Sequence, residues 1–250
     1  MRYFLRFSYF GTAYHGWQRQ PNAITVQEVL EDACSTLLRQ TIVLVGAGRT
    51  DTGVHAKQMY AHFNLTKTPL IPNFIHRLNA FLPEDIAVQG IYEVPGDAHA
   101  RFNATARTYE YWLIEEKNPF YKDAAHLIKK GLNIPAMNEA SELLLQHKDF
   151  ECFSRSNTDV KTFFCQVSHA NWKKEGALLV FTITADRFLR NMVRAVVGTL
   201  LEIGTGKATL EDMKKILKSK NRSEAGPSAP AKGLYLTRVD YPNPIRYVNE

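Results

Sequence analysis

The stretch LVGAGRTDTGVHA, residues 44–56, places a carboxylate at Asp51 two residues after a guanidinium at Arg49. A positive charge nearby favours the ionised carboxylate, the form that a nucleophile or a general base requires. The alternative for an aspartate among glycines is a turn former that accepts backbone hydrogen bonds. A phosphate cradle is excluded by spacing. Gly46, Gly48 and Gly53 leave Asp51 where the third glycine of a dinucleotide fingerprint should fall, and no Gly-Lys-Ser/Thr follows. His55 and His62 are conceivable metal ligands, but no thiol or carboxylate cluster in the sequence supports a metal.

Other groups suit a polyanion with unpaired bases. In ARTYEYWLI, residues 106–114, strand alternation puts Arg107, Tyr109 and Tyr111 on one face, fit to hold a phosphate and stack on a base. For Tyr111 the plain reading of a half-buried strand residue with a snorkelling end is preferred. Arg187, Arg190 and Arg194 recur at i, i+3 and i+7 of an apolar-periodic segment, as a helical stripe that contacts phosphate or faces solvent. The loop GWQRQP offers Gln18 and Arg19 to an RNA backbone, with Trp17 either packing or joining them.

These groups need elements to carry them. Arg2 to Tyr9 alternates as a strand, and Thr25 with Glu28 forms a capping box before a helix bearing Val26, Val29, Leu30, Ala33 and Leu37. Strands follow at Thr41–Val45 and Gln58–Leu65, the second with Met59, Ala61, Phe63 and Leu65 on its buried side. A helix near Pro72–Phe81 and a strand at Asp85–Val94 complete a βαββαβ order. The second half repeats that order with a strand at Thr105–Glu115, a helix after Pro135, strands near Phe163–Trp172 and Leu178–Ala185 turning at KKEG, a helix at Arg187–Ile203, another from Thr209, and the strand LYLTRVDY. Two such units predict an α+β protein of two ferredoxin-like halves whose sheets could join, with a boundary near residue 100.

Composition fits this picture. The 250 residues are 45% hydrophobic and carry a net charge of +6, which favours a polyanionic partner. Three widely spaced cysteines, Cys34, Cys152 and Cys165, with no C-x-x-C, indicate buried reduced thiols of a cytosolic protein. The N-terminus has no signal-peptide pattern, and no run approaches the length of a membrane span.

Taken with YFGTAYHGWQRQ, FLPEDIAV, HARFNATARTYEYWLI, RFLRNMVRAVVGTLLEIG and APAKGLYL, the stretch GRTDTGVHA resembles the tRNA pseudouridine synthase A family, with all six motifs in family order. Phe10, Thr52 and Ser228 depart from the aspartate, alanine and threonine usual there. The resemblance implies two ferredoxin-like halves, residues 1–100 with the aspartate loop and residues 101–250, joined in one mixed, largely antiparallel sheet with a basic cleft. It also implies a cytoplasmic homodimer with no cofactor and no metal, isomerising uridine to pseudouridine at tRNA positions 38 to 40 of the anticodon stem-loop. In that scheme Asp51 is the nucleophile, Tyr109 stacks on the target base and Arg194 pairs with the aspartate, with Arg49 and Arg107 beside the substrate and Gln18, Arg19, Arg187 and Arg190 along the RNA. Whether the carboxylate attacks base or sugar, or removes a sugar proton, stays open. Two rivals lack their signatures, since no RNP1 string marks an RNA-recognition motif and no carboxylate cluster marks a metal-dependent nuclease.

Overall fold

The computed structural model describes residues 1–65, 73–129, 131–155, 160–242 and 246–247. The chain is α+β and divides into two compact units, Met1–Thr105 with Leu236–Glu250, and Ala106–Tyr235.

In the first unit β1 (Arg2–Tyr9), α1 (Val26–Leu38), β2 (Val45–Gly46), β3 (His55–Asn64), α2 (Phe74–Phe81) and β4 (Ile86–Val94) follow in βαββαβ order. β1 pairs antiparallel with both β3 and β4, β2 pairs with β3, and a short strand β10 (Arg246–Tyr247) adds to the far side of β4. The order β4-β1-β3-β2 is the ferredoxin-like arrangement. Of the helix expected near Pro72, Pro72 itself lies outside the described residues.

Three local expectations change here. The strand expected at Thr41–Val45 shrinks to two residues because polar side chains of α1 capture the backbone before it reaches the sheet. Ser35 Oγ accepts from Ile42 N at 2.9 Å, Glu31 Oε1 accepts from Leu44 N at 2.9 Å, and Gln27 Nε2 donates to Leu44 O at 2.9 Å. Only half of the capping box forms. Thr25 accepts from Glu28 N at 3.4 Å, but the Glu28 carboxylate turns to Arg19 at 3.3 Å. β3 is buried without a break from Met59 to Phe63, because both of its faces are covered. On the second face Tyr241 packs on Phe4 and Tyr60, with centroids 5.3 and 5.4 Å apart, and donates to Ala100 O at 2.6 Å.

The second unit runs β5 (Ala106–Ile114), β6 (His126–Leu127), α3 (Ile134–Gln146), β7 (Val167–Glu175), β8 (Leu178–Ala185), α4 (Met192–Gly204), α5 (Leu210–Ser219) and the start of β9 (Leu234–Asp240). β5 and β7 flank β8 antiparallel, and β6 lies parallel to β5, so the sheet is mixed but largely antiparallel. The hairpin turns at Gly176, φ +60°, which leaves Lys173, Lys174 and Glu175 in the strand. α3 is sewn to β7 by Asn138, which accepts from Trp172 N at 2.7 Å and donates to Trp172 O at 3.1 Å. Thr209 and Asp212 make a complete capping box at α5. The three cysteines are buried and unbridged, and burial raises each thiol pKa to about 12.

α4 starts at Met192 rather than Arg187. Asn191, in the left-handed region at φ 65°, breaks the backbone just before it. Arg187 and Arg190 therefore precede the helix, and the predicted stripe does not exist as one helical face. Among the described residues no helix is long and apolar enough to cross a membrane.

Candidate active site

Asp51 sits half-buried between β2 and β3, in a loop braced by the chain that leads into α1. Trp17 N donates to Thr50 O at 3.2 Å, Gly53 N to Tyr14 O at 3.3 Å, and Val54 N to Asp51 O at 3.1 Å. Tyr9 Oη lies 2.8 Å from Thr50 Oγ1. Gly16, at φ +85°, passes so close beneath Thr50 O and Asp51 that a side chain there would collide with backbone. Gly11 approaches Val54 O in the same way. Tyr14 is itself pinned, donating to Asp85 Oδ1 at 2.5 Å, and burial raises the pKa of its hydroxyl. The aspartate backbone is thus fixed from both sides, which is what a precisely aimed carboxylate requires.

The loop read as a possible RNA grip is largely a scaffold. Trp17 is 3% exposed and stacks on Phe7 at 5.2 Å, which decides for packing. Arg19 is exposed but meets Glu28, Glu31 and Asp32 at 3.3, 3.5 and 3.3 Å, so three carboxylates compete with any phosphate for it. Gln18 is exposed. Arg49 is exposed as well and makes no ion pair among the described residues.

Both histidines considered as ligands have structural partners. His55 Nδ1 accepts from Gly11 N at 2.9 Å, and Phe10 stacks on its ring at 4.1 Å, so the Phe10 departure serves as a cover for His55. His62 Nδ1 accepts from Ala100 N at 3.2 Å, and the residue stands opposite Val45 in the β2–β3 ladder. Burial, then His99 and Arg2, lower the His62 pKa from 6.5 to about 4.

In the second unit Tyr109, half-buried on β5 opposite Ile183, meets Phe188 edge-on at 5.1 Å. Arg107 on the same strand donates to Asp186 O at 2.8 Å. Tyr111 is fully buried, donates to Pro230 O at 2.8 Å and lies under Gly233, so it packs deeper than the half-buried strand position expected for it. Arg187 is half-buried and Arg190 exposed.

Arg194 occupies the first turn of α4. Its Nε donates to Ala229 O at 2.7 Å, and Ala229 N donates back to the Arg194 carbonyl at 2.9 Å. The same loop is tied down by Gly226 N to Thr199 Oγ1 at 2.9 Å and Asn191 Nδ2 to Ser228 Oγ at 2.6 Å. Ser228 accepts as a threonine hydroxyl would, which makes that departure mild. Two contributors escaped the sequence reading, namely Tyr14 as brace of the aspartate loop and Gly198, whose lack of a side chain lets Pro227 O approach α4. A glycine inside a strongly apolar helix was the available signal for the second.

The chain matches the sequence profile described as tRNA pseudouridine synthase over residues 7–103 and 140–242. It is 50% identical over 246 residues to the tRNA pseudouridine synthase A of Bacteroides fragilis, covering 98% of each chain. The protein of that name from Porphyromonas gingivalis is 49% identical across 98% of both chains, and that of Geobacter sp. is 40% identical across 94% of this chain and 96% of its own. Matched over most of its length, this chain belongs to the tRNA pseudouridine synthase A family.

Proposed function

We propose that this enzyme isomerises uridine to pseudouridine at positions 38, 39 and 40 of the tRNA anticodon stem-loop, with Asp51 as its nucleophile. The observation that carries the reading is the placement of Asp51 in a doubly braced, half-buried loop within a chain that matches the family almost end to end. In the reaction the C1′–N1 bond breaks, the base turns, and a C1′–C5 bond forms. The proton lost from C5 is balanced by the one gained at N1, so the product is an isomer and no co-reactant is consumed.

The detached base must turn without being lost to water, which calls for fixed groups around it. Tyr109, which meets Phe188 in an edge-to-face contact, supplies a ring on which the target base stacks once it leaves the helix. In the proposed site Arg194 is the ion-pair partner of Asp51, and Arg107 and Arg49 meet the substrate. The resemblance also supports a cytoplasmic homodimer, which sedimentation equilibrium would test.

The deciding experiment supplies purified protein alone with unmodified tRNA and maps pseudouridine by position. Conversion at 38 to 40 supports the reading, and conversion elsewhere or none overturns it. Asp51→Asn should abolish conversion while tRNA affinity stays within a few-fold, because one carboxylate is removed and no phosphate contact is lost. Near wild-type turnover would remove Asp51 from the chemistry.

A further inference from the structure

Next to the aspartate loop's own supports, the first unit carries an exposed aromatic that the catalytic scheme does not use. Phe102 is 74% exposed, whereas most other rings of its unit lie in the core. A single exposed apolar residue means little by itself. This one stands on a short segment whose backbone is tied at nearly every residue. Asn103 Oδ1 accepts from His99 N at 2.5 Å, and Asn103 N donates to His99 O at 3.0 Å. His99 Nδ1 accepts from Arg101 N at 3.1 Å and Phe102 N at 3.3 Å. Ala100 is held from both sides, its N–H by His62 and its carbonyl by Tyr241.

The Phe102 ring is backed by the His99 ring, with centroids 4.3 Å apart, and His99 in turn meets His62 at 4.6 Å. The exposed Arg101 brings its guanidinium to 5.6 Å from the Phe102 centroid. His62 joins this aromatic column to β2, since it stands opposite Val45 in the β2–β3 ladder and its ring accepts from Ala100 N. From Val45 the chain needs six residues to reach Asp51, a span of at most ~20 Å. The column therefore lies within a short run of nucleotides of the aspartate.

We propose that Phe102 is a stacking platform for an unpaired base of the RNA substrate, flanking the target nucleotide, with Arg101 meeting the adjoining phosphate. This rests on the functional reading above and names a contact that reading does not contain. A rigid ring presents its face without an ordering cost, an aromatic face accepts any base, and a neighbouring cation favours a nucleic acid over an apolar protein surface. The net charge of +6 points the same way.

The test is equilibrium binding of unmodified tRNA, at one fixed ionic strength, to full-length wild type, Phe102→Ala, Phe102→Leu and Phe102→Trp. Because the ring is exposed, all variants should melt like wild type. Phe102→Ala and Phe102→Leu should each weaken binding by about 5- to 150-fold, since leucine restores apolar area but no π face, and Phe102→Trp should keep the affinity. Arg101→Gln, titrated beside wild type at several ionic strengths, should weaken binding and flatten its salt dependence. Wild-type affinity in both Phe102→Ala and Phe102→Leu overturns the proposal, as does a Phe102→Ala defect that appears as a changed sedimentation coefficient with RNA affinity intact. A wild-type protein that converts no uridine would instead sink the functional reading, and this proposal with it.

Discussion

Gly198→Ala sets helix propensity directly against packing. In an isolated helix the change would stabilise by about 1 kcal/mol. Here the added methyl would fall well inside the van der Waals envelope of Pro227 O, with Ala229 N also within 3.4 Å. The loop at 226–229 must retreat from α4 or the helix must move. The retreat stretches the bond of Gly226 N to Thr199 Oγ1 at 2.9 Å, that of Ala229 N to the Arg194 carbonyl at 2.9 Å, and that of Arg194 Nε to Ala229 O at 2.7 Å. Loss of two such bonds at about 1 kcal/mol each, with an overpacking cost of about 1–3, outweighs the propensity gain and leaves a net loss of about 2–4 kcal/mol. For a chain of this size that lowers Tm by roughly 4–16 °C in a thermal melt followed by circular dichroism. Single-turnover conversion measured well below the melt should fall too, because Arg194 loses its fixed support. A variant that melts at or above the wild-type temperature would refute the close approach and the reasoning built on it.

Protonation of His62 should destabilise the fold. Its pKa is lowered from 6.5 to about 4, so between those values the folded state binds fewer protons than the unfolded one. That stability is complete above pH 6.5 and declines by up to about 3 kcal/mol as pH falls to 4, and urea titrations of His62→Gln should show a flatter decline over that window. Tyr109→Phe should bind tRNA nearly as well as wild type, whereas Tyr109→Ala should lose about 1–3 kcal/mol of binding, and wild-type behaviour of the alanine variant would make the tyrosine structural. Arg194→Lys keeps the charge but loses the planar fork and the Nε donor to Ala229, so its single-turnover rate should fall much more than its tRNA affinity. Arg190→Lys, at an exposed position before α4, should change neither, and equal small effects on rate from the two substitutions would remove Arg194 from the site.

What could be read from the sequence follows the range of the forces involved. β1, β4, β5, β8 and β9 were legible because alternation is a local consequence of one buried face, and all of them lie within a residue or two of the expected bounds. The strand at Thr41–Val45 was not, because its loss depends on Ser35, Glu31 and Gln27 reaching it from α1, and no local pattern records that meeting. The arginine stripe failed for a related reason. Apolar periodicity through Leu189 and Met192 continues across Asn191, but one left-handed residue is enough to end a helix while the pattern runs on. Arg19 marks the limit for charge. In sequence it is a cation in a polar loop, and only the fold brings it to three carboxylates on and beside one turn of α1. The loop around Asp51 was legible because its glycines are there for backbone reasons. Gly16 and Gly53, both at positive φ, let two chain segments close on the residues flanking Asp51, and a site whose backbone must be held that tightly leaves its glycines in the sequence.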